Sequence, residues 1–139
     1  MVFQPDLVHD LSKHRLGIVG VNYTRKTEGR ETQTCGLNGE PITSFGKHGV
    51  EEVGWIGFGA VLIHLEAISD IENPLFEMRW HPERNDFVGE DYYFCGKVRA
   101  HGIPVYIDHT ASNKCAHVGD YAFKELPPEP IFDFRKDVA

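Results

Sequence analysis

Apolar positions in this chain come in short clusters separated by polar, glycine-rich stretches. Pro5 suits a first helical turn, because its missing N–H would be unpaired there anyway. Leu7, Val8 and Leu11 follow at i, i+1, i+4 spacing, which predicts a helix ending near His14 to Gly17. Residues 18–23 are short, apolar and β-branched, so they read as a buried strand. The chain then turns polar up to Gly49. Within that stretch, 32–37 and 42–45 predict a hairpin around Asn38-Gly39, a strong turn dipeptide. Residues 50–55 predict a strand, Gly57-Phe58-Gly59 breaks it, and 60–63 resume the apolar run.

Further on, 65–71 predict a short helix stopped at Asn73-Pro74, since proline disfavours helical geometry just before it. Residues 75–80 read as extended and 81–88 as a polar loop. The clearest helix runs over about 90–101. Phe94, Cys95 and Val98 form its apolar stripe, and Gly102 is its C-terminal stop. Residues 104–107 follow as a strand, and 127–139 read as a Pro-rich C-terminal tail. Helices and strands alternate, so the class is α/β or α+β.

Composition narrows the partners. The 139 residues suit one domain, or part of a larger one, and 41% hydrophobic content excludes bulk disorder. The net charge of −7 argues against a nucleic-acid binder held by phosphate contacts. No apolar run reaches the length of a membrane span and no apolar signal core opens the chain, so a cytoplasmic location is expected. Cys35, Cys95 and Cys115 are too few and too scattered for a disulfide framework and read as reduced, buried thiols.

Four features carry candidate chemistry. Glu90 and Asp91 are adjacent carboxylates at a helix start, where the partial positive charge of the helix end favours them. They are either a good helix start or a general base projecting toward a substrate hydroxyl. His117, between small and apolar residues, is either a satisfied structural histidine or a metal ligand. Trp55-Ile56-Gly57-Phe58-Gly59-Ala60 is a poor dinucleotide fingerprint. It reads as a strand bend, or as backbone left bare to make room for a sugar. The loop Trp80-His81-Pro82-Glu83-Arg84-Asn85 suits carbohydrate, or is an ordinary loop anchored by a buried Trp.

The order of these motifs is more informative than any one of them. Gly57-Phe58-Gly59-Ala60-Val61-Leu62-Ile63, Pro74-Leu75-Phe76, Gly89-Glu90-Asp91-Tyr92-Tyr93-Phe94-Cys95, Gly102, Val105-Tyr106-Ile107-Asp108 and His117-Val118-Gly119 follow one another. The succession resembles the C-terminal, acceptor-side half of GT-A fold glycosyltransferases, most of all the family 2 type. The resemblance covers roughly 1–123. It implies an α/β fold, a truncated GT-A-like mixed sheet with flanking helices, over a domain spanning 1–126.

The resemblance also implies roles. Asp91 matches the position of the catalytic base in inverting members, and Glu90 beside it would contact acceptor or position the loop. His117 matches a histidine that in some members completes a metal site. Trp55, Gly57, Phe58 and Gly59 would line the acceptor side, and Arg84 would contact a phosphate or the acceptor. Members of the group hold a divalent metal, Mn or Mg, with an Asp-x-Asp motif that grips the diphosphate of a nucleotide-sugar donor. No Asp-x-Asp occurs in these 139 residues, and Met1-Val2-Phe3-Gln4-Pro5 resembles the stretch that follows it. The expectation is therefore a fragment, inactive alone, that binds no metal by itself because one imidazole holds these oxygen-seeking ions poorly. The complete enzyme would transfer a sugar to an acceptor hydroxyl.

A second reading is a non-enzymatic oligomeric module with a vestigial site. A half domain would leave 18–23 as an unpaired sheet edge and invite homo-oligomers. A metal-dependent hydrolase built on the eight histidines ranks last, for want of a His-Glu-x-x-His pair.

Overall fold

The computed structural model describes residues 1–25, 32–118 and 122–123. The elements run α1 (Leu7–Ser12), β1 (Ile18–Gly20), β2 (Thr34–Cys35), β3 (Val50–Val53), β4 (Trp55–Ile56) and β5 (Val61–Ile63). A single 3₁₀ turn, Leu65–Ile68, follows. Then come β6 (Arg79–His81), β7 (Asp86–Val88), α2 (Glu90–Ala100), β8 (Val105–Asp108), α3 (His109–Ser112), β9 (His117–Val118) and β10 (Ala122–Phe123). The tail expected over 127–139 lies outside the described residues. Among the described residues no helix is long and apolar enough to cross a membrane.

The main sheet is mixed, in the order β3-β8-β1-β5. β1 runs parallel to β8 and antiparallel to β5, and β3 runs antiparallel to β8. Side chains alternate across it, because successive strand residues point to opposite faces. Ile18 joins a core with Val105, Ile107, Phe94 and Val98, under α2. Val19, its neighbour, joins Leu7, Leu11, Ala111 and Cys115, under α1 and α3. Helices therefore cover both faces, which is why β1 is uniformly apolar rather than alternating. The fold is a mixed α/β layer structure.

This topology corrects one expectation. Residues 18–23 are not an unpaired edge. β1 sits inside the sheet between β8 and β5, and the edge strands are β3 and β5. Two partners satisfy its backbone, so association through that strand has no free groups to use.

Other elements follow their residues closely. Gly89 is the extended N-cap of α2, and the helix ends in a Schellman closure. Gly102 N–H donates to Arg99 O at 2.9 Å and Ile103 N–H to Val98 O at 3.1 Å, with Gly102 at φ 78°. The predicted turn at Asn38-Gly39 forms, with Gly39 at φ 85° and Gly36 N–H donating to Glu40 O at 2.8 Å. Its main strand partner, however, is β4, with Thr34 opposite Ile56. The helix expected over 65–71 shortens to its 3₁₀ turn. The expected polar loop 81–88 is instead the turn and second strand of a hairpin: Trp80 pairs with Phe87, and Asn85 takes the left-handed turn position at φ 50°. Cys95 and Cys115 are buried and unpaired, and burial pushes both thiols up to about 11.

Candidate functional site

The site begins where β1 ends. Val21 N–H still donates to Ala60 O at 3.1 Å, and Gln33 N–H donates to Tyr23 O at 2.8 Å. These bonds carry Tyr23 past the carboxyl end of an interior strand, the position where open α/β sheets present ligands. The Tyr23 hydroxyl accepts the Gly59 N–H at 3.1 Å. Glycine is required beside it: a Cβ on Gly57 would lie 2.5 Å from the Tyr23 hydroxyl oxygen, and one on Gly59 would lie 2.6 Å from the ring. Tyr23 takes the space beside Gly57, and Tyr23 together with the Met1 methyl takes the space beside Gly59. His117 completes this wall. Its ring meets Tyr23 edge-on at 5.2 Å, and its Nδ1–H donates to the Thr24 carbonyl at 3.1 Å.

The start of α2 supplies the carboxylates. Glu90 is exposed and Asp91 is half-buried, with Oδ1 accepting the Tyr92 N–H at 2.7 Å. Burial raises the Asp91 pKa above its ordinary value and the Glu90 charge adds to that, while backbone N–H donors and Arg25 oppose it. Burial also raises the Tyr23 phenol, and the charges of Asp91 and Glu90 add to that while Arg25 opposes it. Tyr23, Arg25, Glu90 and Asp91 therefore form one electrostatic cluster, drawn from chain segments almost seventy residues apart.

Beside the cluster lies a cavity of about 520 Å³, walled by Trp55 and Tyr92 with Arg25, Arg84 and Arg99. Trp55 and Tyr92 meet edge-on at 5.9 Å, and the Arg84 guanidinium lies 5.5 Å from the Tyr92 ring centre. Of the residues singled out from the sequence, Trp55 and Arg84 line this cavity. Asp91 adjoins it through Tyr92 and Arg25, and Glu90 stands beside Asp91. Gly57 and Gly59 lie against Tyr23. The Phe58 ring packs on Phe76 and Phe94, at 5.6 Å and 5.1 Å, within the aromatic core under α2.

Tyr23, Arg25, Tyr92 and Arg99 were not singled out from the sequence. A usable signal exists for the first two, a phenol and a guanidinium directly after a buried apolar run. Arg99 lies off the apolar stripe of α2, and nothing local marks it.

Among the described residues no group of three or more His, Cys, Asp or Glu side chains comes together, and His117 already spends Nδ1 on Thr24. No protein-family model matches the chain, and no curated protein matches it.

Proposed function

We propose that the chain is the acceptor-side half of a GT-A-like, family 2 type glycosyltransferase, with Asp91 as general base. The observation that carries this reading is the half-buried Asp91 carboxylate, raised in pKa and set with Tyr23 and Arg25 beside an aromatic-walled cavity. A carboxylate whose proton affinity rises toward the working pH is a better base than a solvated one. Its place at the first turn of α2 fixes its direction, so an acceptor hydroxyl need only be held near it.

In the complete reaction the acceptor O–H proton passes to Asp91. The acceptor oxygen forms a bond to the anomeric carbon of the donor sugar. The bond from that carbon to the nucleoside diphosphate breaks, and its electron pair leaves with the diphosphate. This chain contributes the base and the acceptor wall, where Trp55 and Tyr92 offer ring faces and edges to a sugar. The donor and its Mn or Mg belong to an acidic motif that these 139 residues lack.

The test is acceptor binding by this chain alone, followed by amide NMR with a panel of mono- and disaccharides. Shifts confined to Trp55, Tyr92 and the start of α2 support the reading. Absence of any sugar response across the panel overturns it.

A further inference from the structure

Among the described residues, the charge that lines the cavity does not match the charge of the protein. The chain carries 21 acidic residues against 14 basic ones, yet no Asp or Glu is among the described residues that line the cavity. Among the described residues, three arginines line it instead: Arg25, Arg84 and Arg99. They come from three separate segments, after β1, in the β6–β7 turn and in the last turn of α2, so no local sequence run accounts for their meeting.

Two of them, Arg84 and Arg99, make their printed contacts with groups other than a carboxylate. Arg84 lies over the Tyr92 ring, and Arg99 Nη1 makes a long 3.4 Å contact with the Gly54 carbonyl. Neither contact neutralises a guanidinium. Elsewhere several surface cations find carboxylates, Lys13 and Lys114 on Asp10, Lys47 on Glu51 and Arg79 on Glu77, while Lys97 donates to the backbone carbonyls of Glu72 and Pro74. Guanidinium groups present planar forks of donors that match the oxygens of phosphate and carboxylate. The aromatic pair in the same wall, Trp55 and Tyr92, suits a sugar ring rather than a bare ion.

We infer that the cavity takes an anionic sugar, one bearing a phosphate or a carboxylate, with Arg84 and Arg99 on its oxyanion and the Trp55–Tyr92 wall on its ring. This deepens the proposed acceptor role and rests on it: the acceptor would be a charged sugar unit, anchored by its anion so that a free hydroxyl faces Asp91.

Calorimetry of the chain at low ionic strength with four probes tests this: glucose, glucose 6-phosphate, glucuronate and inorganic phosphate. Glucose 6-phosphate or glucuronate should bind at least tenfold more tightly than glucose, and whichever is tighter identifies the oxyanion. That affinity should fall at least fivefold in Arg84→Gln and in Arg99→Gln, and also as salt is raised, because exposed charges are screened. Arg84→Lys should recover only part of the loss, since lysine cannot make the forked contact. The melting temperature of each variant checks that it folds.

Equal affinity for glucose and its charged relatives would overturn the anion inference while leaving the acceptor reading intact. Inorganic phosphate binding as tightly as glucose 6-phosphate would also overturn it, by removing the sugar from recognition. Failure of all four probes would count against the inference and the acceptor reading together.

Discussion

The Tyr23 hydroxyl and the Gly59 backbone N–H meet at 3.1 Å, tying the end of the central strand to the Gly-x-Gly bend thirty-six residues away. The bond explains the bend. Tyr23 can lie flat against the backbone only because Gly57 and Gly59 present no Cβ toward it.

Gly57→Ala should therefore destabilise the chain by about 1–3 kcal/mol, the range for forcing extra atoms into a filled site. In a Tyr23→Phe background the cost should shrink by at least about 0.5 kcal/mol, because the clashing oxygen is gone. Urea denaturation of the four proteins measures this coupling. Additive losses would mean that the Gln33 Cβ and the Tyr23 ring carbon, 2.9 Å and 3.1 Å from the added methyl, set the cost and the hydroxyl does not.

Asp91 should oppose stability while serving function. Burial raises its folded pKa above the ordinary aspartate value of 3.8, so the folded state holds the proton more tightly than the unfolded state. Stability is then lost as pH climbs from the unfolded value through the folded one. Asp91→Asn carries no such loss and keeps an oxygen for the Tyr92 N–H. The variant should melt higher than the parent at pH 7, and the difference should vanish near pH 3, where both states are protonated. A lower melting temperature at pH 7 would contradict the assignment.

Glu51 should behave in the opposite sense. Burial pushes its carboxyl up, but the N–H of buried His109, 2.8 Å away, and the Lys47 ammonium outweigh this and hold it below its ordinary 4.5. Its contribution is present above that value and lost as pH falls through the folded one. Glu51→Ala should cost about 1 kcal/mol at pH 7, the lower end for an abandoned buried donor, because the carboxylate is 40% exposed and water reaches the gap. The gap from the parent should narrow toward pH 3 in thermal melts.

Thiol chemistry should separate the cysteines. Cys95 and Cys115, pushed up to about 11 by burial, should resist a disulfide reagent in the native chain. Cys35, half-buried on the cavity wall, should react first, and more slowly when an anionic sugar fills the cavity. Peptide mapping of the first labelled site checks both statements.

The chain alone should hold nucleotide-sugars weakly. Calorimetry with Mn and UDP- and GDP-sugars should show nothing tighter than roughly millimolar, near −4 kcal/mol. Micromolar binding that needs metal and disappears in His117→Ala would mean a working donor site within these residues.

Strong local rules made much of this legible. The apolar stripe from Phe94 to Val98, closed by Gly102, marked α2 to within a residue, and Asn38-Gly39 marked its turn. The apolar run at 18–23 declares a buried strand, of which Ile18–Gly20 form β1. What local pattern cannot carry is pairing. Nothing near Ile18 says that β8 and β5 will flank it, which is why 18–23 reads as an edge in the sequence and is an interior strand in the fold. The β6–β7 hairpin was missed because Pro82, Glu83 and Arg84 mask the alternation around Trp80 and Phe87. The site was legible in part for the same reason. Asp91 stood out at a helix start, whereas the meeting of Arg25, Arg84 and Arg99 is a product of the tertiary fold alone.

The central claim is that Asp91 takes the proton from an acceptor hydroxyl. Its most direct test is sugar transfer by a polypeptide that carries this chain together with a donor-binding half, comparing Asp91 with Asp91→Asn at saturating donor. Turnover should fall by about two to four orders of magnitude, the range for loss of a general base, with donor affinity unchanged. Transfer that proceeds at the parent rate in Asp91→Asn would remove Asp91 from the mechanism and contradict the account.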